Sequence, residues 1–148
     1  MKLSKKLEYE LDLIWDKRSG SHVNIRGFPK MKLDMPTEFG GMNSAPCPDE
    51  LFFTAIGGCI LTTFIYFKER LNLNLKELRV SVQGTVEYSG PKGYRVSEIT
   101  IVVNVEVPID DKAKAEECTE LAINYCHLTR SLEEGIPLKI SSKIQLRS

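Results

Sequence analysis

Cysteine is the residue type in this chain with the widest range of chemistry, and it occurs at Cys47, Cys59, Cys118 and Cys126. In an intracellular protein, such cysteines indicate redox chemistry, a metal site or plain core positions before they indicate structural disulfides. No two of them have the short gap of a zinc knuckle, and the only neighbouring imidazole, His127, directly follows Cys126. The spacing therefore does not favour a metal site, and we predict no cofactor.

Cys59 lies in the most apolar segment of the chain, PCPDELFFTAIGGCILTTF, directly after Gly57 and Gly58. Angles of 100° per residue leave apolar side chains on both sides of a helix here, which predicts that it lies in the interior. Each glycine costs about 1 kcal/mol relative to alanine in a helix, a cost usually offset by the close approach of another element. We expect the second helix of the chain to make that approach.

If the two helices cross near the glycines, Cys59 and Cys126 face each other. Cys118 and Cys126 are eight positions apart on one helix, about 12 Å, which exceeds the separation of about 7 Å that a disulfide tolerates. Cys59 and Cys126 are therefore the first pair to test for redox chemistry. The alternative is that both are small core hydrophobes, as free cysteines commonly are, and spacing alone favours it.

The elements that must position these thiols alternate between strands and helices. The pattern predicts a meander of three strands, followed by a long helix that begins at Pro48 and a hairpin around SGPKG. It then predicts a second helix capped by Asp110, a helical turn through Leu132 and a final strand. The predicted strands are Leu7–Trp15, His22–Ile25, Lys30–Met35, Glu77–Tyr88, Tyr94–Val107 and Leu138–Leu146, and the predicted helices are Pro48–Leu71 and the segment DKAKAEECTELAINYC, with Cys118, Leu121, Ala122 and Tyr125 on one face.

Composition excludes several classes of protein. With 148 residues, of which 42% are hydrophobic, the chain suits one domain spanning residues 1–148. The 20 basic and 20 acidic residues cancel, so neither nucleic acid nor an anionic membrane is expected as a partner. The uncharged run Leu51–Phe67 is diluted by glycine and threonine and predicts a buried core helix rather than a membrane span. The amino end has no apolar stretch suited to a signal peptide, which predicts a cytoplasmic protein.

The chain has TEFGG, then CPDELFFTAIGGC, then a long hairpin, and then YCHLTRSL at the end of the second helix. These segments and their order resemble the OsmC/Ohr family of osmotically inducible and organic hydroperoxide resistance proteins. One motif consists of Pro48, Glu50, Leu51 and Cys59. The other consists of Cys126, Thr129 and Arg130. The resemblance implies an α+β domain with curved antiparallel sheets around two long central helices. It also implies an intertwined homodimer with its active site at the subunit boundary.

The resemblance further implies a thiol peroxidase of oxidative stress defence, in which Cys59 attacks an organic hydroperoxide and Cys126 resolves the product into a disulfide. An arginine paired with Glu50 would hold the attacking thiolate. Arg18 occupies the corresponding place, and Arg26 is the alternative. Without the resemblance, a solvated turn residue is the simpler interpretation of Arg18, and a charge at the helix N-terminus that of Glu50.

Thiolate chemistry explains these residue types. An unperturbed thiol is mostly protonated at neutral pH, a nearby guanidinium lowers its pKa, and burial alone raises it. A lining of Phe52, Phe53 and Ile56 would favour an organic hydroperoxide over hydrogen peroxide. A thiol reductant, either a small dithiol or a lipoylated or thioredoxin-type protein, would reopen the disulfide.

The sequence also departs from the best-characterised hydroperoxidases. His127 stands where the second cysteine is often followed by proline, and two glycines precede Cys59 where the family typically has small residues. The segment CPDELFFTAIGGC looks closer to a less characterised OsmC-like branch. Three hypotheses follow: a thiol peroxidase, an OsmC-like dimer that binds an apolar ligand or partner without turnover, and a thiolate metal site. Cys47 has no role by resemblance, and a surface or core thiol is its simplest interpretation.

Overall fold

A computed structural model describes residues 6–148 of the chain. These residues form two compact units, and the boundary between Leu51 and Phe52 falls inside the first helix. The fold class is α+β, with one three-stranded sheet in each unit and two main helices.

The first unit contains the predicted meander. Strands β1 (Asp12–Trp15), β2 (Gly20–Asn24) and β3 (Met31–Asp34) form an antiparallel sheet in the order β1-β2-β3. Strand β1 is shorter than the predicted Leu7–Trp15. Its first residue pairs with the last residue of β2, Asn24, after which the chain turns, so residues 7–11 have no neighbouring strand to pair with among the described residues.

Asp34, to which no sequence pattern pointed, is a buried carboxylate that organises the first unit. The hydroxyls of Ser19 and Ser44 each donate to it at 2.6 Å. The backbone N–H groups of Met35 and Ser44 donate at 2.8 and 3.0 Å. These hydrogen bonds, led by that of Ser19, hold the pKa of Asp34 well below its usual range. The side chain thereby ties the end of β3 to the β1–β2 turn and to the loop before the first helix.

The second unit is built on the predicted hairpin, β4 (Glu77–Tyr88) and β5 (Tyr94–Pro108), whose strands pair antiparallel. The last strand, β6 (Leu138–Arg147), pairs with β5 in parallel. The expectation of purely antiparallel sheets is therefore wrong. A parallel neighbour requires a crossover connection, and the helical segment between β5 and β6 supplies it.

Three α-helices complete the described fold: α1 (Pro48–Arg70), α2 (Lys112–Tyr125) and α3 (His127–Leu132). The predicted cap of α2 is wrong in detail, because a single 3-10 turn, Ile109–Asp111, precedes the helix. The Asp111 carboxylate accepts the backbone N–H of Asn74 at 2.8 Å and makes no side-chain cap.

The core of the second unit lies between the helices and β5. Alternate residues of β5 are fully or almost fully buried, as expected for a strand with one face on a core. Helical spacing brings side chains of α1 and α2 onto this face. The buried residues are Ile99, Ile101, Val103, Val105 and Val107 of β5, Ile56, Ile60 and Phe64 of α1, and Ala115, Cys118 and Ala122 of α2. Tyr125, predicted on the buried face of α2, is 59% exposed and stacks against Phe67.

Helix α1 differs from the prediction in two respects. It is not buried on all sides: Ala55, Gly58 and Ile65 are exposed within this chain. The element that approaches Gly57 is also not α2, because a Cβ added there would meet Cγ2 of Val82 in β4 at 2.8 Å. Gly58 has open space around it.

Helices α1 and α2 meet further along α1. There, the Cys118 thiol donates to the carbonyl of Phe64 at 3.4 Å, and the rings of Phe67 and Tyr125 lie 5.6 Å apart. Within the described residues, α1 alone is long and apolar enough to cross a bilayer, by length and composition only. Its face bearing Ile56, Ile60 and Phe64 instead forms part of the core.

Candidate functional site

The structure brings Cys59 and Cys126 together in the second unit. Cys59 lies in the middle of α1 and is 8% exposed, whereas Cys126 is completely buried at the junction of α2 and α3. Cys126 has an extended backbone (φ −66°, ψ 107°) that ends α2, while its N–H still bonds to the carbonyl of Ala122. The two thiols are free and lie within hydrogen-bonding reach of each other.

Burial is the main influence on the Cys59 thiol, and it raises the pKa because an apolar environment disfavours the thiolate. The neighbouring Cys126 also raises the pKa of Cys59. The backbone N–H of Leu128 and the nearby hydroxyl of Thr63, which donates to the Cys59 carbonyl at 2.7 Å, lower the pKa of the thiol by smaller amounts. The influences that raise the pKa outweigh those that lower it, so this thiol needs a further proton acceptor or positive charge to react as a thiolate at neutral pH.

An imidazole also contacts the Cys59 thiol. Nδ1 of His127 lies 3.7 Å from Sγ of Cys59, and the histidine is exposed. From the sequence, His127 is expected only as a possible metal ligand and as a departure from a family pattern. The position of His127 directly after Cys126 indicates this contact in the sequence, because any helix crossing that places Cys126 near Cys59 also places His127 nearby.

Arg18 and Arg26, the two candidate arginines, are both exposed in the first unit. The backbone N–H of Arg18 donates to Asp16 at 2.7 Å, which places Arg18 in the turn after β1, as predicted. Arg26 has a positive φ of 46°, and its guanidinium lies 5.0 Å from the ring centroid of Phe28. The thiols belong to the second unit, and the activating role of either arginine stays a prediction.

Glu50, also in the first unit, completes half of a capping box at the start of α1. Its Oε2 accepts the backbone N–H of Cys47 at 2.8 Å, across the three-residue spacing of that motif. Cys47 immediately precedes the helix, and its carbonyl accepts the N–H of Leu51. This observed interaction accounts for an acidic residue at position 50 on structural grounds, and its proposed catalytic role stays a prediction.

Cys118 differs chemically from Cys59. It is fully buried, and burial, followed by the charge of Glu117, raises the pKa of its thiol to about 11. Cys118 is therefore a core residue that remains protonated at neutral pH. In the part of the chain from residue 6 onward, no cluster of three or more His, Cys, Asp or Glu side chains is arranged to hold a metal ion.

The three residues proposed as a substrate lining, Phe52, Phe53 and Ile56, have different surroundings. The Phe53 ring packs directly on the backbone of Gly84 in β4, where any Cβ would overlap it. Phe52 lies beside Phe53 with ring centroids 5.6 Å apart, and both are partly exposed. Ile56 is only 1% exposed and belongs to the core. Only the two phenylalanines are therefore accessible from outside this chain.

Comparison with known proteins defines the class to which this fold and thiol pair belong. Residues 41–141 match the family described as OsmC-like protein, a segment that includes both motif cysteines and most of the second unit. The chain therefore belongs to the OsmC-like family. Its members include organic hydroperoxide resistance proteins.

Individual relatives are distant in sequence and close in fold. The uncharacterized protein YmaD of Bacillus subtilis is 23% identical over 117 residues, which cover 77% of this chain and 78% of YmaD. The OsmC-like protein from Mycoplasma pneumoniae superposes with a TM-score of 0.81 at 15% identity, covering 96% of this chain and 99% of that one. The organic hydroperoxide resistance protein OsmC from Legionella pneumophila superposes with a TM-score of 0.76 at 17% identity, covering 95% of this chain and 99% of that one. At these identities the superpositions establish the fold alone.

Proposed function

We propose that this protein is a cysteine-based thiol peroxidase that reduces organic hydroperoxides in oxidative stress defence, with Cys59 as the attacking thiol and Cys126 as the resolving thiol. The contact between these two free thiols supports the proposal most directly. Membership of a family that includes organic hydroperoxide resistance proteins supports the choice of substrate class.

The reaction balances with two protein thiols and one hydroperoxide. The Cys59 thiolate attacks the terminal oxygen of the hydroperoxide, the O–O bond breaks, and the leaving alkoxide takes up a proton to become an alcohol. Cys59 is then a sulfenic acid. Attack by the Cys126 thiolate forms the S–S bond and breaks the S–O bond, and the departing hydroxide takes up the proton that the Cys126 thiol gave up, which forms water. A dithiol reductant returns two electrons and two protons to reopen the disulfide. Resolution by Cys126 joins two thiols that lie beside each other in the folded chain.

Positive charge near Cys59 is the part of the proposal carried by resemblance. Burial raises the pKa of Cys59, so an arginine that favours the thiolate would supply what the local environment lacks. We assign this role to Arg18, with Arg26 as the alternative, and assign to Glu50 the task of orienting the guanidinium.

Assembly into a homodimer is the second part carried by resemblance. The face of α1 that includes Ala55, Gly58, Ile65 and Tyr66 is exposed in the single chain, and a second copy of the chain would cover it. We expect sedimentation equilibrium to give about twice the chain mass at micromolar concentration. A monomer under these conditions would contradict an active site built at a subunit boundary.

Peroxide consumption by the reduced protein is the decisive experiment. The parent should reduce cumene hydroperoxide faster than hydrogen peroxide, because Phe52 and Phe53 offer apolar contact to the organic group. Cys59→Ser should abolish turnover. Cys126→Ser should consume one equivalent and stop at a sulfenic acid that dimedone traps.

Mass spectrometry of the oxidised parent supplies the matched control within the same chain. It should find Cys59 linked to Cys126, with Cys47 and Cys118 unmodified. No peroxide consumption by fully reduced protein, or a disulfide that omits Cys59, would refute the peroxidase proposal.

A second candidate function is the binding of an apolar ligand without turnover. An open groove of about 570 Å³ lies between α1 and α2, lined in part by Tyr66, Phe67 and Tyr125. This volume is within the range of small-molecule sites. The two candidates separate in the same experiment, because a binding protein would leave the hydroperoxide unreduced.

A further inference from the structure

The contact between Cys59 and His127 joins a buried thiol to an exposed imidazole. Sγ and Nδ1 are 3.7 Å apart, across 68 positions of sequence. Sulfur hydrogen bonds are longer than those between nitrogen and oxygen because sulfur is the larger atom. In the tautomer that carries its proton on Nε2, Nδ1 is free to accept the thiol hydrogen. The contact is therefore suited to transfer of a proton from Cys59 to His127.

We propose that His127 is a catalytic residue of the peroxidase reaction: it takes the proton of the Cys59 thiol and returns it to the alkoxide that leaves the hydroperoxide. This inference rests on the proposed function. It adds a proton carrier of this chain to a reaction for which the resemblance implies only an arginine and a glutamate.

The transfer leaves atoms and charges balanced. The proton moves from Sγ to Nδ1 and leaves a thiolate beside an imidazolium. When the thiolate attacks the terminal oxygen, the O–O bond breaks, and its bonding electrons stay on the alkoxide. The Nδ1 proton then passes to that alkoxide and forms the alcohol. Cys59 ends as a sulfenic acid, and His127 is again neutral.

The surroundings favour this division of roles. Cys59 is 8% exposed, so its thiolate has little water to stabilise it, whereas the exposed imidazole can stay hydrated while charged. Histidine is the side chain whose usual pKa suits proton exchange near neutral pH. The other groups that act on the sulfur are the Cys126 thiol, the Thr63 hydroxyl and the N–H of Leu128. Of these, the hydroxyl and the N–H cannot accept the proton at neutral pH, and Cys126 makes the thiolate harder to form.

Two hydrogen bonds hold the backbone turn that carries His127. His127 is the first residue of α3, and the hydroxyl of Ser131 donates to its carbonyl at 2.7 Å. The N–H of Arg130 bonds to the carbonyl of Cys126 at 3.1 Å, which closes the first turn. The same turn therefore fixes the resolving thiol and the proposed proton carrier next to each other.

The test compares His127→Asn and His127→Ala with the parent. Asparagine retains a hydrogen-bonding group near the position of Nδ1 but cannot carry a proton. The only other histidine of the chain, His22 in β2, provides the matched control His22→Asn. The readouts are the alkylation rate of Cys59 by iodoacetamide from pH 6 to 9, followed on its peptide by mass spectrometry, and the single-turnover rate of cumene hydroperoxide consumption.

We expect both His127 variants to alkylate and turn over at least about tenfold more slowly at pH 7, with the deficit shrinking as pH rises, since proton carriers typically contribute about 10²–10⁴-fold. Added imidazole should restore part of the rate of His127→Ala, which a purely structural role would not allow. Unchanged rates across the pH range in His127→Asn, or no rescue of a slow His127→Ala, would overturn the inference. His22→Asn should match the parent.

Failure of the inference and failure of the proposed function give different results. If the parent consumes one equivalent of hydroperoxide and the His127 variants match it, the peroxidase survives without this residue. If the parent consumes no hydroperoxide, the peroxidase proposal fails. The alkylation profile then still decides whether His127 activates the thiol.

Discussion

Gly57→Ala tests why α1 carries a glycine at a buried position. An added Cβ would lie 2.8 Å from Cγ2 of Val82 and 3.8 Å from Cγ1 of Val80. Carbon atoms prefer separations of about 3.5–4.0 Å, so the helix or the strand must move by about 0.7–1.2 Å. Val82 is β-branched, and its restricted χ1 makes an adjustment within the side chain costly.

The expected magnitude is a difference between two opposing effects. Alanine is about 0.8–1 kcal/mol better than glycine in a helix interior, whereas one extra methyl group in a packed core costs about 1–3 kcal/mol. Gly57→Ala should therefore lower the free energy of unfolding by as much as about 2 kcal/mol, instead of raising it by about 1 kcal/mol. In a Val82→Ala background Cγ2 is gone, and the same change should stabilise. The coupling energy between the two substitutions should be about 1–3 kcal/mol.

A double-mutant cycle measures this coupling directly. Urea unfolding of the parent, the two single variants and the double variant is followed by circular dichroism at one fixed protein concentration, since an oligomer's stability depends on concentration. The intrinsic cost of Val82→Ala cancels in the cycle. If Gly57→Ala stabilises the parent by about 1 kcal/mol with no coupling to Val82, Val82 does not exclude a side chain at position 57 and this explanation of the glycine is refuted.

Three further predictions concern titratable groups. The pKa of Asp34 is depressed in the folded state, so its contribution to stability is complete above the usual aspartate pKa and is lost as pH falls below about 4. Asp34→Asn should therefore be less stable than the parent at neutral pH, and it should lose less stability than the parent below about pH 4. Acid unfolding followed by circular dichroism measures both differences. Cys118, with a pKa of about 11, should escape iodoacetamide at pH 8 in the native protein while Cys59 reacts, and equal labelling of both peptides would contradict the contrast in environment. Arg18→Ala should raise the pH at which Cys59 alkylates, and Arg26→Ala should do so less; an unchanged profile in Arg18→Ala would move the role to Arg26 or remove it.

Local signals in the sequence were sufficient for most elements of the fold. β-branched residues on either side of SGPKG predicted the hairpin, and the observed strands begin at the predicted residues. Pro48 at the first helical position, with acidic residues after it, predicted the start of α1. These features depend on neighbours a few positions apart, so they can be recognised without knowing the fold. The motifs around Cys59 and Cys126 likewise identified the family that the comparisons then established.

Only the tertiary structure decided which distant residues meet. The parallel pairing of β6 with β5, the contact of Val82 with Gly57 and the gathering of Ser19 and Ser44 on Asp34 join segments whose relative placement no local pattern encodes. Cys59 and His127 show the reason most clearly. The sequence determines that one has a thiol and the other an imidazole, but a separation of 3.7 Å across 68 positions depends on how α1 and α3 pack around a shared core. That packing is favoured because it buries apolar side chains from several segments at once, and it therefore brings together chemical partners that neither segment specifies alone.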